Sequence, residues 1–240
     1  MTKKLMILLA ALTLGGGLSA QAWKDKLNQA KDKLGGGALS QEEVGRGLKE
    51  ALDLGVAEAV DFLSAENGYY QSAYKILMPE EAQQLATRLR AVPGFANFEE
   101  DALLKINRAA EDAAQKAKPI FVSAIRQMTF QDAMNLLRGN QDAATRYLER
   151  TTFQQLYNEF KPVIIASLDK FNARDYWRDG VSAYNRLPMV SKVNPELDDY
   201  VTRQALAGMF GLVEKKELDI RQNAGARTSD LLRRVFAQQD

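Results

Sequence analysis

The chain has 240 residues, of which 46% are hydrophobic and 26% are charged, with 32 Lys and Arg against 31 Asp and Glu and neither cysteine nor histidine. A chain of this length and composition can bury a core, so a disordered protein is not expected. The two missing residue types exclude disulfides, thiol nucleophiles, imidazole bases and zinc or copper sites with nitrogen or sulfur ligands. The nearly neutral charge also argues against nucleic-acid binding, which requires a basic surplus.

Residues 1–22 have the three parts of a secretory signal peptide. Two lysines precede an apolar stretch at residues 5–14, and three glycines then lead into small residues. Ala20 and Ala22 match the A-x-A pattern, so we expect cleavage between Ala22 and Trp23. The apolar stretch would span only about half of a hydrocarbon core, which disfavours the alternative of an uncleaved membrane anchor. The sequence therefore predicts an exported protein that is soluble in the periplasm after cleavage.

Residues 23–39 are predicted to be an amphipathic arm followed by a glycine-rich hinge. Residues 23–34 place one tryptophan and two leucines among four lysines, and residues 35–37 are all glycine. An apolar edge flanked by lysines is typical of a segment on a membrane surface, so peripheral membrane contact through this arm is one expectation. Because the signal carries two lysines and no acid, its removal changes the formal net charge from +1 to −1.

Helix signals continue through the rest of the chain. Ser40 and Glu43 match a capping box, and the apolar residues after them recur every three or four positions as far as Leu63. Residues 66–68 predict a turn, and residues 69–78 are ambiguous. Later helices are predicted to begin at Pro79, at Phe98, at Thr129 with Asp132, and at Gln141. Three more are predicted to begin at Thr151 or Thr152, at Asn194, and at Thr228 or Ser229. A break is predicted at Pro119, and residues 172–194 show the least regular pattern.

Residues 205–213 form the most apolar segment after the signal. These nine residues, ALAGMFGLV, include no polar side chain. A helix that is apolar on all sides is surrounded by other helices, so this one is predicted to lie at the centre. No stretch alternates apolar and polar residues as a strand does, and no repeat has a fixed period. We therefore expect an all-α fold for residues 40–240, a single domain of about eight or nine helices around this apolar central helix, with no sheet.

Several sequence blocks resemble an uncharacterised bacterial family. The blocks are LKEAL at residues 48–52, NRAAE at 107–111, PIF at 119–121, AIRQMT at 124–129, DA at 132–133, DAATRY at 142–147, DYVT at 199–202, AGAR at 224–227 and DLL at 230–232. Together they resemble the family of domain of unknown function 4197 over about residues 40–236. The resemblance implies an exported, mostly helical, single-domain protein of Gram-negative bacteria, and it implies no activity.

A polar cluster on the alanine-rich helix that follows Phe98 is the candidate site. Asn107 and Glu111 lie four residues apart on one face, and Arg108 lies three residues from Glu111. As a site, the cluster would use Glu111 as an acid, base or ligand and Arg108 to bind an anionic group. As structure, the same residues would form pairs within the helix or a polar bridge between helices.

Other polar residues extend or compete with this cluster. Arg126, Asp132 and Thr145 would line the same space, although Asp132 also fits a helix cap with Thr129. Two further patterns are typical of single-stranded nucleic-acid binding and of a calcium site. The first comprises Arg146, Tyr147, Arg150, Arg174, Tyr176 and Trp177, and the second comprises Glu196, Asp198 and Asp199. Nearby acids reduce the positive charge of the first pattern, and the acidic residues of the second fit the first turn of a helix. We therefore expect no nucleic acid, metal or cofactor.

Three function classes remain open. The first is a non-enzymatic periplasmic binding or scaffold protein, whose helices pack solid or leave an apolar pocket for a lipid-like ligand or a protein partner. The second is a hydrolase of the cell envelope that uses carboxylate chemistry, with Glu111 as acid or base. The third is association with a membrane surface through residues 23–34. No pattern predicts an oligomeric state.

Overall fold

The computed structural model describes residues 39–79, 83, 98–170, 172–186, 189, 192, 194 and 196–237. Within these residues the chain forms eight α-helices, one 3₁₀ helix and no strand, so the all-α prediction is confirmed. No helix in the same part of the chain is long and apolar enough to cross a membrane. The predicted signal peptide, the predicted arm and most of the helix predicted from Pro79 lie outside the described residues.

The described helices are numbered in chain order. They are α1 Gln41–Leu63, α2 Phe98–Ala114, α3 Ala117–Gln127, α4 Phe130–Leu137, α5 Ala143–Asp169, α6 Ala173–Asn185, α7 Leu197–Gln222 and α8 Asp230–Phe236, with the 3₁₀ helix Ala224–Ala226 before α8. Helix α7 packs against α1, α2, α5 and α6, and α1 also packs against α3, α4 and α8. Helices α1 and α7 therefore each contact several other helices of the bundle.

Three helices begin at capping side chains that the sequence predicts. The Ser40 hydroxyl accepts from the Glu43 amide at 3.1 Å, and the Glu43 carboxylate accepts from the Ser40 amide at 2.9 Å, which completes the capping box of α1. Thr129 and Asp132 form a second box before α4, and Ser229 caps α8. These bonds satisfy amides that have no acceptor inside the helix.

The long helix predicted from Thr151 or Thr152 starts earlier in the structure. Helix α5 begins at Ala143, runs through both threonines without interruption, and contains Pro162. The Thr151 hydroxyl donates to the carbonyl oxygen of Tyr147 at 2.9 Å, and the Thr152 hydroxyl donates one turn back in the same way. The predicted start at these threonines is therefore wrong, because a threonine inside a helix can satisfy its hydroxyl on the preceding turn.

Three further predictions concern where helices begin and end. Residues 172–194, the least regular by pattern, contain the helix α6. Helix α7 has Glu196 as its N-cap, whereas Asn194 lies two residues before the N-cap and its Oδ1 accepts from the Glu196 amide at 2.9 Å. The break predicted at Pro119 is confirmed, since α2 ends at Ala114 and Pro119 lies in the first turn of α3.

The apolar segment of α7 lies in the core, as predicted. Its buried side chains, each at most 3% exposed, are Ala205, Leu206, Met209, Phe210 and Val213. The Phe210 ring meets the Phe121 ring of α3 edge to face, with centroids 5.7 Å apart. Ala207 is exposed, so neighbouring helices cover α7 on most of its surface and not on all of it.

A segment of turns after α1, residues 64–79, lies against α7 and is called the strap. Asn67 has a φ of 68°, a left-handed conformation that asparagine tolerates, and it lies in the turn predicted at residues 66–68. The buried Tyr69 donates from its hydroxyl to the Ala205 carbonyl oxygen at 2.7 Å. A Cβ at Gly208 would lie 2.9 Å from the Tyr69 ring, so the absence of a side chain there allows the strap to approach α7.

Candidate functional site

Helix α2 carries three side chains that hold the strap, and we call Asn107, Arg108 and Glu111 the strap anchor. Asn107 is fully buried. Its Oδ1 accepts from the Ile76 amide at 2.8 Å, and its Nδ2 donates to the carbonyl oxygens of Ile76 and Leu103 at 2.9 and 2.8 Å. Asn107 therefore satisfies both backbone groups of one strap residue.

Glu111 holds the strap one turn further along α2. Its Oε1 accepts from the amides of Tyr69 and Tyr70, both at 3.1 Å, and its Oε2 accepts from Nη1 of Arg108 at 2.5 Å. The Glu111 side chain is 5% exposed. Three protein donors therefore satisfy this buried side chain.

Arg108 completes the strap anchor at its solvent edge. Its Nη2 donates to Glu66 and Asn67 of the strap, both at 3.0 Å. The hydrogen bond with Glu111 raises the pKa of Arg108, so the guanidinium keeps its charge. Burial, reinforced by the Glu111 charge, raises the pKa of Tyr69, so the phenol keeps the proton that it donates to α7.

The geometry of Glu111 leaves little room for chemistry on a substrate. A general acid or base must come within hydrogen-bond distance of a substrate proton. Glu111 is 4% exposed as a residue, and each of its oxygens already accepts from the protein. The arrangement instead provides acceptors for two strap amides that would otherwise be buried without a partner.

Thr145 belongs to a different buried network. Glu217 on α7 accepts from the Thr145 hydroxyl and amide at 2.7 and 2.8 Å and from the Ala144 amide at 3.1 Å. These amides lie in the first turn of α5, where a negative charge is favourable. Arg221 donates to Glu217 at 2.9 and 2.8 Å and to two carbonyl oxygens at the end of α4. The network therefore joins the ends of α4 and α5 to α7.

Arg126 and Asp132 also lie away from the strap anchor. Arg126 is exposed on α3, and its carbonyl oxygen accepts from Nζ of Lys49 at 3.1 Å. Asp132 accepts from the Thr129 hydroxyl and amide at 2.7 and 3.0 Å, and these hydrogen bonds lower the pKa of Asp132. The structure thus brings together three of the six predicted site residues and gives the others separate partners.

No sequence pattern predicts the buried charges at the end of α7. Glu217, Arg221 and Arg227 are each at most 7% exposed. Arg227 donates from Nε to the Ile220 carbonyl oxygen at 3.0 Å and from Nη2 to the Arg221 carbonyl oxygen at 2.9 Å, which satisfies the end of α7. Glu217 and Arg221 have the spacing of an ordinary exposed helix pair, so the spacing carries no signal of burial.

Four residues of the two weaker sequence patterns form ion pairs with their neighbours. These pairs are Arg146 with Asp142, Glu149 and Glu214, Arg174 with Asp169, Asp198 with Lys161 and Arg174, and Asp199 with Arg203. The part of the chain that the structure describes contains no group of three or more residues that could hold a metal ion. Asp198 and Asp199 lie in the first turn of α7, where acids complement the helix dipole.

An open groove lies where the strap meets the C-terminal ends of α1 and α7. Its volume is about 710 Å³, within the usual range for ligand pockets. Phe62 of α1 and Leu218 of α7 line it and are 50% and 37% exposed, while Tyr74 of the strap and Leu212 complete its apolar part. No sequence pattern marks this groove, because its residues come from three separate segments.

The groove contains two lysines that differ in their partners. Nζ of Lys216 pairs with Glu58 at 2.6 Å. Lys215 is exposed and forms no ion pair with any described residue. Burial raises the pKa of Tyr74, and the charge of Lys216 acts in the opposite direction. The groove thus combines apolar side chains with one cation whose charge is not neutralised by a described neighbour.

The comparisons with known proteins agree with the sequence resemblance. The family described as protein of unknown function (DUF4197) matches residues 38–237, which is nearly the whole chain after the predicted arm. No curated protein and no solved structure matches the chain. The match covers most of the chain and therefore establishes family membership, whereas the comparisons supply no activity or ligand.

Proposed function

Since this chain belongs to the DUF4197 family, whose description assigns no activity, we propose a function from the geometry: a non-enzymatic binding protein of the periplasm, whose groove takes an apolar ligand or a protein partner. The observation that carries the proposal is the pair of exposed apolar side chains, Phe62 and Leu218, in a concave site of about 710 Å³. Apolar side chains grouped in a concave surface are typical of binding sites.

The strap anchor supports this proposal because it fixes one wall of the groove. Strap residues 71–74 line the groove, and the strap on either side of them is held by Glu111 and by Asn107. A wall that is already ordered loses little conformational entropy when a ligand binds. The interior polar residues thus act on binding through the position of the strap.

The hydrolase alternative has less support from the same geometry. Glu111 already has a protein donor on each oxygen, and the groove lining contains one carboxylate, that of Asp219. Hydrolysis of a glycosidic bond by the common mechanism requires two carboxyl groups about 5–10 Å apart on either side of the bond. The binding function requires no such pair.

The periplasmic location rests on the signal pattern of residues 1–22. Export and cleavage would remove the two lysines at the N-terminus and leave Trp23 as the first residue. Sequencing of the N-terminus of the protein recovered from a periplasmic fraction tests this part directly. We expect Trp23, and a chain that retains Met1 in the membrane fraction would contradict it.

The binding function is tested with N-phenyl-1-naphthylamine, an uncharged probe that fluoresces in apolar surroundings. Titration of the mature protein should give saturable binding. The double variant Phe62→Gln/Leu218→Gln removes the exposed apolar side chains of the groove, and we expect its affinity to fall about tenfold or more.

Phe130→Gln is the matched control, because Phe130 on α4 is 48% exposed and lies outside the groove lining. The control should bind the probe as the wild type does. Equal loss in both variants would show adhesion to exposed aromatic side chains in general, and no loss in the double variant would remove the groove as the binding site. Unchanged far-ultraviolet circular dichroism confirms that each variant is folded.

A further inference from the structure

We propose that the groove binds the anion of a long-chain fatty acid, with the carboxylate at Lys215 and the chain against Phe62, Leu212 and Leu218. This inference rests on the proposed binding function and narrows its ligand to one chemical class. It depends on two properties of the groove: an available cation and apolar side chains beside it.

The charge of Lys215 is available to a ligand. Lys216 is paired with Glu58 at 2.6 Å, whereas Lys215 has no acid within ion-pair distance among the described residues. Asp219 lies one turn further along α7 and accepts from the Asn223 side chain at 3.4 Å, without forming an ion pair with Lys215. Since Glu58 neutralises Lys216, Lys215 and Asp219 are the charged lining residues without an ion pair among the described residues.

The helix dipole does not explain the position of Lys215. Cations near a helix C-terminus interact favourably with the dipole, but the effect falls off within the last turn. Helix α7 ends at Gln222, so Lys215 lies seven residues, about two turns, before the end, while Arg221 occupies the last turn. Lys215 is therefore too far from the C-terminal end of α7 for its charge to interact strongly with the helix dipole.

The remaining lining fits an aliphatic chain. Phe62 and Leu218 expose 50% and 37% of their surface, and Leu212 lies between the groove and the core with 5% exposed. The Tyr74 hydroxyl forms no hydrogen bond with a described residue and is a second donor in the groove. Lys215 can pair with one negative charge of a ligand, and the limited apolar lining beside it suits a single chain.

Competition against N-phenyl-1-naphthylamine tests this inference with two ligands of equal chain length, palmitate and the uncharged hexadecanol. Wild-type protein should bind palmitate more tightly, and 0.5 M NaCl should reduce this preference because salt screens the charge. The substitution Lys215→Gln should lower the affinity for palmitate by about three- to fivefold, the range for an exposed ion pair. The affinity for hexadecanol should change by less than about twofold.

Lys116→Gln is the matched control, since Lys116 is an exposed lysine between α2 and α3, outside the groove. This control variant should bind both ligands with the wild-type affinity. If hexadecanol competes as well as palmitate, or if Lys215→Gln has no effect while the probe still binds in the groove, the fatty-acid inference is wrong and the binding function stands. If Phe62→Gln/Leu218→Gln leaves probe binding intact, the binding function itself fails.

Sedimentation distinguishes a fatty acid from a second copy of the chain as the occupant of the groove. Sedimentation of the delipidated protein over a range of concentrations should show a monomer whose mass does not depend on Phe62. A dimer that the variant Phe62→Gln/Leu218→Gln dissociates would show that the groove is an interface between copies, and it would overturn the fatty-acid inference.

Discussion

The strap anchor and the groove both involve the strap, but they differ in whether their polar side chains have protein partners. In the strap anchor, Asn107 and Glu111 are buried and every polar atom of their side chains has a protein partner. In the groove, Lys215 has no described ion pair and Phe62 is half exposed. The difference indicates that the most conspicuous polar motif of the sequence stabilises the fold, while the binding function that we propose depends on residues that form no motif.

The largest effect on stability is expected for Glu217→Ala, which tests whether buried carboxylates in this protein are structural. The substitution removes the buried carboxylate that pairs with Arg221 and accepts from two amides at the start of α5. We expect a loss of about 3–5 kcal/mol in the free energy of unfolding, measured by urea denaturation. The exposed Gln204→Ala on α7 is the control, and a Glu217 variant as stable as that control would contradict the structural assignment.

A somewhat smaller loss is expected for Glu111→Ala in the strap anchor. Arg108 keeps Glu66 and Asn67 as partners, but the amides of Tyr69 and Tyr70 lose their acceptor, so we expect about 2–4 kcal/mol. Hydrogen exchange at these two amides should accelerate relative to the control Glu100→Ala on the same helix. Full protection of both amides in the Glu111 variant would show that another group holds the strap.

Gly208→Ala tests the contact between the strap and α7 without changing any charge. The new Cβ would lie 2.9 Å from the Tyr69 ring, which is fully buried and hydrogen bonded, so the ring cannot move away easily. Overpacking of this kind costs about 1–3 kcal/mol, which urea denaturation measures. Gly211→Ala is the matched variant, because its Cβ would lie 3.5 Å from Tyr74, an ordinary contact. Equal stability of the two variants would argue against close packing at Gly208.

The smallest effect is expected for Asp53→Asn, and it has the opposite sign. One oxygen of Asp53 is buried without a hydrogen-bond partner, and burial raises the pKa of this carboxyl. A raised pKa in the folded state means that ionised Asp53 opposes folding, so its contribution to stability is largest below its ordinary pKa of 3.8 and is lost as the pH rises. Asp53→Asn should therefore stabilise the protein by less than about 1 kcal/mol at pH 7, since solvent screens the partly exposed group.

The pH dependence separates this explanation from a general effect of removing an acid. The gain from Asp53→Asn should disappear below about pH 3, where the wild-type carboxyl is protonated in both states. The exposed Asp101→Asn on α2 should show no such profile. A gain that persists in acid would assign the effect to packing rather than to charge.

Local sequence signals predicted most of the fold. Ser40 with Glu43, Thr129 with Asp132, and Ser229 were identified from capping patterns because a cap depends on residues within one turn. The apolar segment of α7 was likewise recognised from composition alone. Thr151 and Thr152 misled the assignment because the same hydroxyl can cap a helix or bond to the preceding turn, and the sequence does not distinguish these states.

The candidate site was less predictable for a physical reason. The spacing of Asn107 and Glu111 places them on one face of a helix, but it does not indicate that this face meets the strap. The groove brings Phe62, Tyr74 and Lys215 together from segments that are distant in the chain. Such a site depends on long-range packing, which neither periodicity nor a short motif encodes.

Nuclear magnetic resonance tests whether the groove binds ligands while the strap anchor supports its wall. Titration of ¹⁵N-labelled mature protein with N-phenyl-1-naphthylamine should shift the backbone amide signals of Phe62, Ala73, Leu212 and Leu218 most. The signals of Asn107 and Glu111 should move little. The largest shifts at Asn107 and Glu111, with the groove signals unchanged, would contradict the account and return the polar cluster as the functional site.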